Sequence, residues 1–142
     1  MSFLADNFSL LRDAFLTTLS LAVVSGICAL LLGTLLAAMR VSPVPALRAV
    51  ATFYVEVFRN TPLTVVFFFL AFGIVYIDLQ FPSRFITAVA SLALYTAAFV
   101  AEAVRSGINA VPAGQAEAAR ALGLDFRQSL STVVLPQAFR TV

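Results

Sequence analysis

The ionisable side chains limit what chemistry this chain can do. Nine arginines supply all of its cationic side chains, seven acids oppose them, and lysine and histidine are absent. Without histidine there is no imidazole base and no histidine-bound metal. The single Cys28 lies in an apolar run, so neither a disulfide framework nor a cysteine metal cluster is available. No catalytic residue and no metal ligand set is predicted. No Gly-rich phosphate loop of the Walker kind is present, so any ATP used with this chain must bind another one. Three polar groupings remain. Glu56 and Arg59 are three residues apart, as are Glu102 and Arg105, so each pair can meet on one helix face. The third is the run 114–123, GQAEAARALG, which carries Gln115, Glu117 and Arg120 among good helix formers.

The elements that hold these groups are apolar. Residues of the apolar types make up 61% of the 142, with a mean hydropathy of +1.00. Soluble domains run at about 45–50%. The excess lies in long blocks, which predicts an all-α integral membrane protein. Residues 1–13 are too polar for a signal peptide and are expected to be a short extramembrane leader. Residues 14–39 carry no charge, and about 20 such residues suffice for a crossing. Ser25, Ala29, Gly33 and Ala37 recur every fourth residue in this first span, a face on which another helix can approach closely.

Pro43 and Pro45 break the chain after Arg40. The second apolar block, 46–77, is interrupted by Glu56 and by Arg59-Asn60-Thr61-Pro62. Either one long helix kinks at Pro62, or residues 46–59 lie in the interface and 62–77 span alone. The shortness of the second piece favours the kinked helix. It would hold Arg59 in or near the membrane, paired with Glu56. Residues 85–104 form the third span. Thr87, Ser91, Tyr95 and Glu102 share a stripe on it, which suits either a water-filled path or helix–helix hydrogen bonding. Glu102 and Arg105 are expected to pair where that span ends.

Arginine counting sets the orientation. Arg12 and Arg84 lie on one side; Arg40, Arg48, Arg105, Arg120, Arg127 and Arg140 lie on the other, with Arg59 set aside. The N-terminus is thus expected outside, and the segment after 105 in the cytoplasm. There Gly107, Asn109 and Pro112 loosen the chain. A short helix over about 113–122 follows, capped by Gly123. Asp125 is the N-cap of a further helix with Gln128 in capping-box position, and Pro136 bends or restarts it.

The run 117–136, with Glu117-Ala118-Ala119, Gly123 and the Leu135-Pro136 pair, resembles the EAA loop of bacterial ABC-importer permeases. Residues 54–63, YVEVFRNTPL, and 101–108, AEAVRSGI, are similar to the polar amino-acid branch of that family. Residues 39–43, MRVSP, and 105–109, RSGIN, are similar to its actinobacterial glutamate-uptake members. The resemblance covers nearly all of 14–142. It implies a type I ABC importer transmembrane domain with about five transmembrane helices. Three of them and the cytoplasmic EAA coupling loop, 106–136, are present here, so the chain reads as an N-terminal fragment.

The function implied is that of a permease subunit, with glutamate-type amino acids favoured, in the bacterial cytoplasmic membrane. The partners implied are an ATP-binding subunit that holds ATP and Mg, a second permease (identical or related) and an extracytoplasmic solute-binding protein. Nucleic acid is not among them. Gly114, Gln115, Glu117, Ala118, Ala119 and Gly123 would couple to the ATPase, with Ala118 and Ala119 permitting close approach. Arg59 is the candidate for a substrate carboxylate or, as the favoured reading, a structural ion pair; Thr87, Ser91 and Tyr95 are weaker lining candidates. A non-transporting membrane scaffold that uses the short helix only for docking is the alternative.

Overall fold

A computed structural model describes residues 7–141. The expected leader falls partly outside these residues. From Phe8 onward it is not a separate turn: α1 runs unbroken over Phe8–Arg40. No glycine or proline precedes Gly26, so nothing between 8 and 13 stops the helix, and Arg12 and Asp13 pair at 2.8 Å on its exposed side. At 1.5 Å per residue, 33 residues reach about 50 Å, well past a hydrocarbon core of about 30 Å.

α1 packs along α4, Arg84–Ala110, through the face predicted from its four-residue spacing. Ser25, Ala29, Gly33 and Ala37 are all buried there, facing Ala93, Ala97, Ala101 and other small residues of α4. Small side chains suit such a contact, because lipid tails compete with any larger apolar group and only close packing favours association. The outer faces carry Phe15, Ile27, Leu31 and Leu35 exposed, a surface suited to lipid.

The second block turns far more sharply than a simple kink: α2, Pro45–Asn60, and the piece Leu63–Ile77 meet at 104°, the geometry of a broken span or a re-entrant loop. Thr61 and Pro62 are extended, as a residue before proline prefers, so the chain turns instead of bending. The second piece is α3, Leu63–Phe68, then a π turn, Phe69–Gly73, then a 3-10 turn, Ile74–Ile77. α2 seats Ala51 and Val55 on a small core with Leu36, Ala97 and Ala101, and the Tyr54 hydroxyl donates to the Leu94 carbonyl at 2.8 Å.

α4 starts at Ser83, whose hydroxyl accepts from the Ile86 N–H at 3.2 Å. It does not end at 104. Gly107 and Asn109 were expected to loosen it, yet the helix continues to Ala110 with Gly107 buried, and only Pro112 stops it. One glycine costs a helix about 1 kcal/mol, too little to end it where packing holds. α5, Ala113–Ala121, follows. α6, Phe126–Ser129, a π turn over Leu130–Val134 and α7, Leu135–Thr141, then run on without a break. The Pro136 ring would crowd the carbonyl of residue 132 in a regular α-helix; the wider π turn lies in that stretch.

Candidate coupling helix and charge cluster

α5 is short and closely defined at its end. Pro112 precedes it with extended ψ. At the other end Gly123 takes φ +83°, the left-handed region where only glycine avoids a steric cost. Its N–H donates to the Arg120 carbonyl at 2.9 Å, and that of Leu124 to Ala119 at 3.1 Å. These two bonds make a Schellman cap. The next helix begins at once. The Asp125 carboxylate accepts from the Gln128 N–H at 2.8 Å, and the Gln128 side chain accepts from the Asp125 N–H at 3.0 Å.

This pair of caps turns one face of α5 outward. Gly114, Glu117, Ala118, Ala121 and Leu122 are all exposed, and their spacing places them on one stripe. Leu122 is 83% exposed. Ala119 does not share this face. It is 2% exposed, on the side turned towards the chain's own following helices, so its small size serves the internal contact and Ala118 alone remains outward. Gln115 is exposed, and its side-chain oxygen accepts from Gln137 Nε2 at 3.3 Å, tying α5 to α7. Behind α5 lies a cavity of about 550 Å³, walled largely by apolar groups including Val41, Pro43, Ile108, Phe126 and Leu130.

The second assembly centres on Glu102. Its Oε1 accepts from Arg40, at the end of α1, and lies 3.2 Å from Arg59, at the end of α2. Its Oε2 takes Arg105, one turn on along α4, at 3.1 Å. One carboxylate thus holds three helices. Arg59 and Glu56 were expected to pair; they do not. Glu56 is exposed and has no cationic partner among the described residues, while the long Arg59 side chain reaches the more sheltered Glu102. The lower dielectric there makes Glu102 the stronger attractor. The Arg40 contact joins residues 62 apart and had no local signal in the sequence.

The hydroxyl stripe of α4 is turned inward. Ser91 is fully buried and donates to the Thr87 carbonyl at 2.8 Å; Thr87 donates to the Ser83 carbonyl at 3.1 Å. Both hydroxyls are satisfied on their own helix. Tyr95 packs at a tilt against Phe99, ring centroids 5.0 Å apart, and its hydroxyl has no partner among the described residues. No cluster of potential metal ligands occurs among those residues.

The family described as binding-protein-dependent transport system inner membrane component matches residues 29–142. The glutamate transport system permease protein GluC of Corynebacterium efficiens is 47% identical over 147 aligned residues, covering 96% of this chain and 64% of that protein. The probable glutamine ABC transporter permease protein GlnM of Bacillus subtilis is 39% identical, covering 100% of this chain and 65% of that one. The crystal structure of an amino acid ABC transporter with histidines superposes with a TM-score of 0.74 at 33% identity, over 95% of this chain and 65% of that one. The chain thus spans just under two thirds of the length of these relatives. With a matched family over four fifths of its residues and a shared helical fold, the chain belongs to the binding-protein-dependent transport system inner membrane components.

Proposed function

We propose that this chain is a permease subunit of an ATP-driven importer that carries a polar amino acid, glutamate foremost, across the bacterial cytoplasmic membrane. The observation that carries this reading is the outward stripe of α5, fixed between Pro112 and the Gly123 cap. Gly114, Ala118 and Ala121 let a second protein approach to backbone distance, Glu117 offers a polar anchor and Leu122 an apolar one. A short rigid helix of this kind can pass on a rigid-body movement. ATP and Mg bind a separate subunit that docks on this face. A second permease, identical or related, closes the path, and an extracytoplasmic binding protein delivers the substrate.

The arginine asymmetry supports an outer N-terminus and a cytoplasmic α5. The glutamate preference draws on the relatives named as glutamate permeases, at 47% and 45% identity, against 39% and 40% for those named for glutamine and arginine. Arg59 serves structure through Glu102. Tyr95, with its free hydroxyl, is the lining residue on α4, since Thr87 and Ser91 spend theirs within the helix.

The test is reconstitution of the protein in vesicles with its ATP-binding subunit, a partner permease and its solute-binding protein. Glutamate-stimulated ATP hydrolysis and glutamate uptake are the expected results. Stable assembly without stimulated hydrolysis would replace this reading with that of a docking scaffold.

A further inference from the structure

Where α1 ends and α2 begins, a cavity of about 480 Å³ is lined by Arg40, Arg48, Ala49, Phe53, Glu56 and Arg105 among others. Its charges do not balance. Arg40, Arg48 and Arg105 line it against one carboxylate, Glu56, a net charge of +2; Arg40 and Arg105 also share Glu102 just behind the wall. Arg48 is the least committed. It donates one N–H to the Ser42 carbonyl at 2.8 Å and has no acidic partner among the described residues, so most of its five donors remain for a ligand.

The level of the cavity narrows the choice of ligand. Arg40 directly follows the uncharged run 14–39, and Arg105 lies one turn beyond the uncharged run 85–101 of α4, so both lie where hydrocarbon gives way to headgroups. One wall is apolar and open: Phe53 is 71% exposed, and neighbouring Val50 is 61% exposed on the same helix. A free phosphate would use the guanidiniums and leave Phe53 bare. A phosphodiester attached to acyl chains would use both.

We propose that this basic pocket between α1, α2 and α4 binds the phosphate of an anionic phospholipid, with Phe53 against its glycerol and upper acyl segment. Arg48 and Arg105 make charge-assisted bonds to the phosphate oxygens, while Glu102 keeps Arg40 and Arg105 in place. Neutral lipids, whose headgroup cations meet the arginines unfavourably, are excluded. The site itself does not depend on the transport reading; the proposed orientation would put it in the inner leaflet.

The test is lipid retention by the detergent-purified protein, read by native mass spectrometry after equilibration with equal phosphatidylglycerol and phosphatidylcholine. Phosphatidylglycerol is expected to be retained preferentially. Arg48→Gln is expected to weaken it about fivefold. Ala49→Glu, an exposed position that tolerates the longer side chain, is expected to do at least as much. Arg127→Gln, a cation outside the pocket, is expected to leave retention unchanged. Equal retention of the two lipids overturns the proposal, as does an Arg127→Gln loss matching that of Arg48→Gln. Displacement of the lipid by millimolar inorganic phosphate, but not by sodium chloride of equal ionic strength, marks a free-phosphate site and overturns the lipid assignment.

Discussion

A Cβ placed on Gly33 of α1 would lie 2.6 Å from the Val100 Cβ of α4 and 2.8 Å from the Ala97 carbonyl oxygen. Neither can give way alone, since the valine Cβ is fixed to its backbone and the carbonyl belongs to a packed helix. Gly33→Ala is therefore expected to destabilise the α1–α4 contact by about 1–3 kcal/mol. Thermal unfolding in detergent reads this as a lower midpoint. Gly26→Ala on the same helix meets nothing within 4 Å and is expected to raise the midpoint slightly, since alanine is the better helix former. Equal losses at the two positions would remove the close approach as the cause.

Glu102→Gln should strip three arginines of their shared counter-charge. Arg40 and Glu102 are only 15% and 23% exposed, so solvent screens the loss in part. A destabilisation of about 2–3 kcal/mol is expected, below the figure for a fully buried pair. The double variant Arg40→Gln/Glu102→Gln should recover part of it, and a double-mutant cycle on the unfolding free energies measures how much. Glu56→Gln, with no ion pair to lose, should be close to neutral.

Gly123→Ala forces a Cβ into the left-handed region, at about 1–2 kcal/mol. Space is not the difficulty, since nothing lies within 4 Å of the site. The expected outcome is faster limited proteolysis at residues 121–125 with membrane insertion unchanged, and weaker substrate-stimulated ATP hydrolysis in the assembled transporter. Gly114→Ala, with ordinary backbone and open space, should leave the proteolysis pattern unchanged. Glu117→Lys should leave it unchanged too and lose the ATPase on co-purification.

Orientation is open to direct measurement. In a Cys28→Ser background, Gln115→Cys should react with an impermeant maleimide only in inside-out vesicles. Leu79→Cys, in the loop before α4, should react only in right-side-out cells. The reverse pattern would invert the topology.

What the sequence made legible was local. The caps at Gly123 and at Asp125 with Gln128 depend on residues within one turn, and the structure has them where the spacing put them. The Ser25-Ala29-Gly33-Ala37 face was legible because one helix's periodicity fixes which side its small residues share. Pro62 marked where the second block would fail, but a proline signals only that a helix cannot continue. The size of the turn, 104°, is not something a proline encodes. Glu102 shows the limit best. Its arginine three residues away was readable; the two from other helices were not, because their approach exists only after α1, α2 and α4 assemble. The same competition left Glu56 without Arg59, and the inward side of α5 claimed Ala119.

The turn between α5 and α6 has no slack. From Leu122 to Asp125 every backbone N–H is committed: to Ala118, to Arg120, to Ala119 and to the Gln128 side chain in order. A joint so fully bonded behaves as a welded bracket, so a load on α5 swings the rod 126–141 as one piece. Compliance must then lie at the other root of the bracket. There Val111 and Pro112 are extended, Pro112 brings no N–H, and Ala113 and Ala116 of α5 border a cavity, whereas Ala119 towards the other end is packed. Stiffness on one side of a nine-residue helix and give on the other fixes the axis about which it can rock.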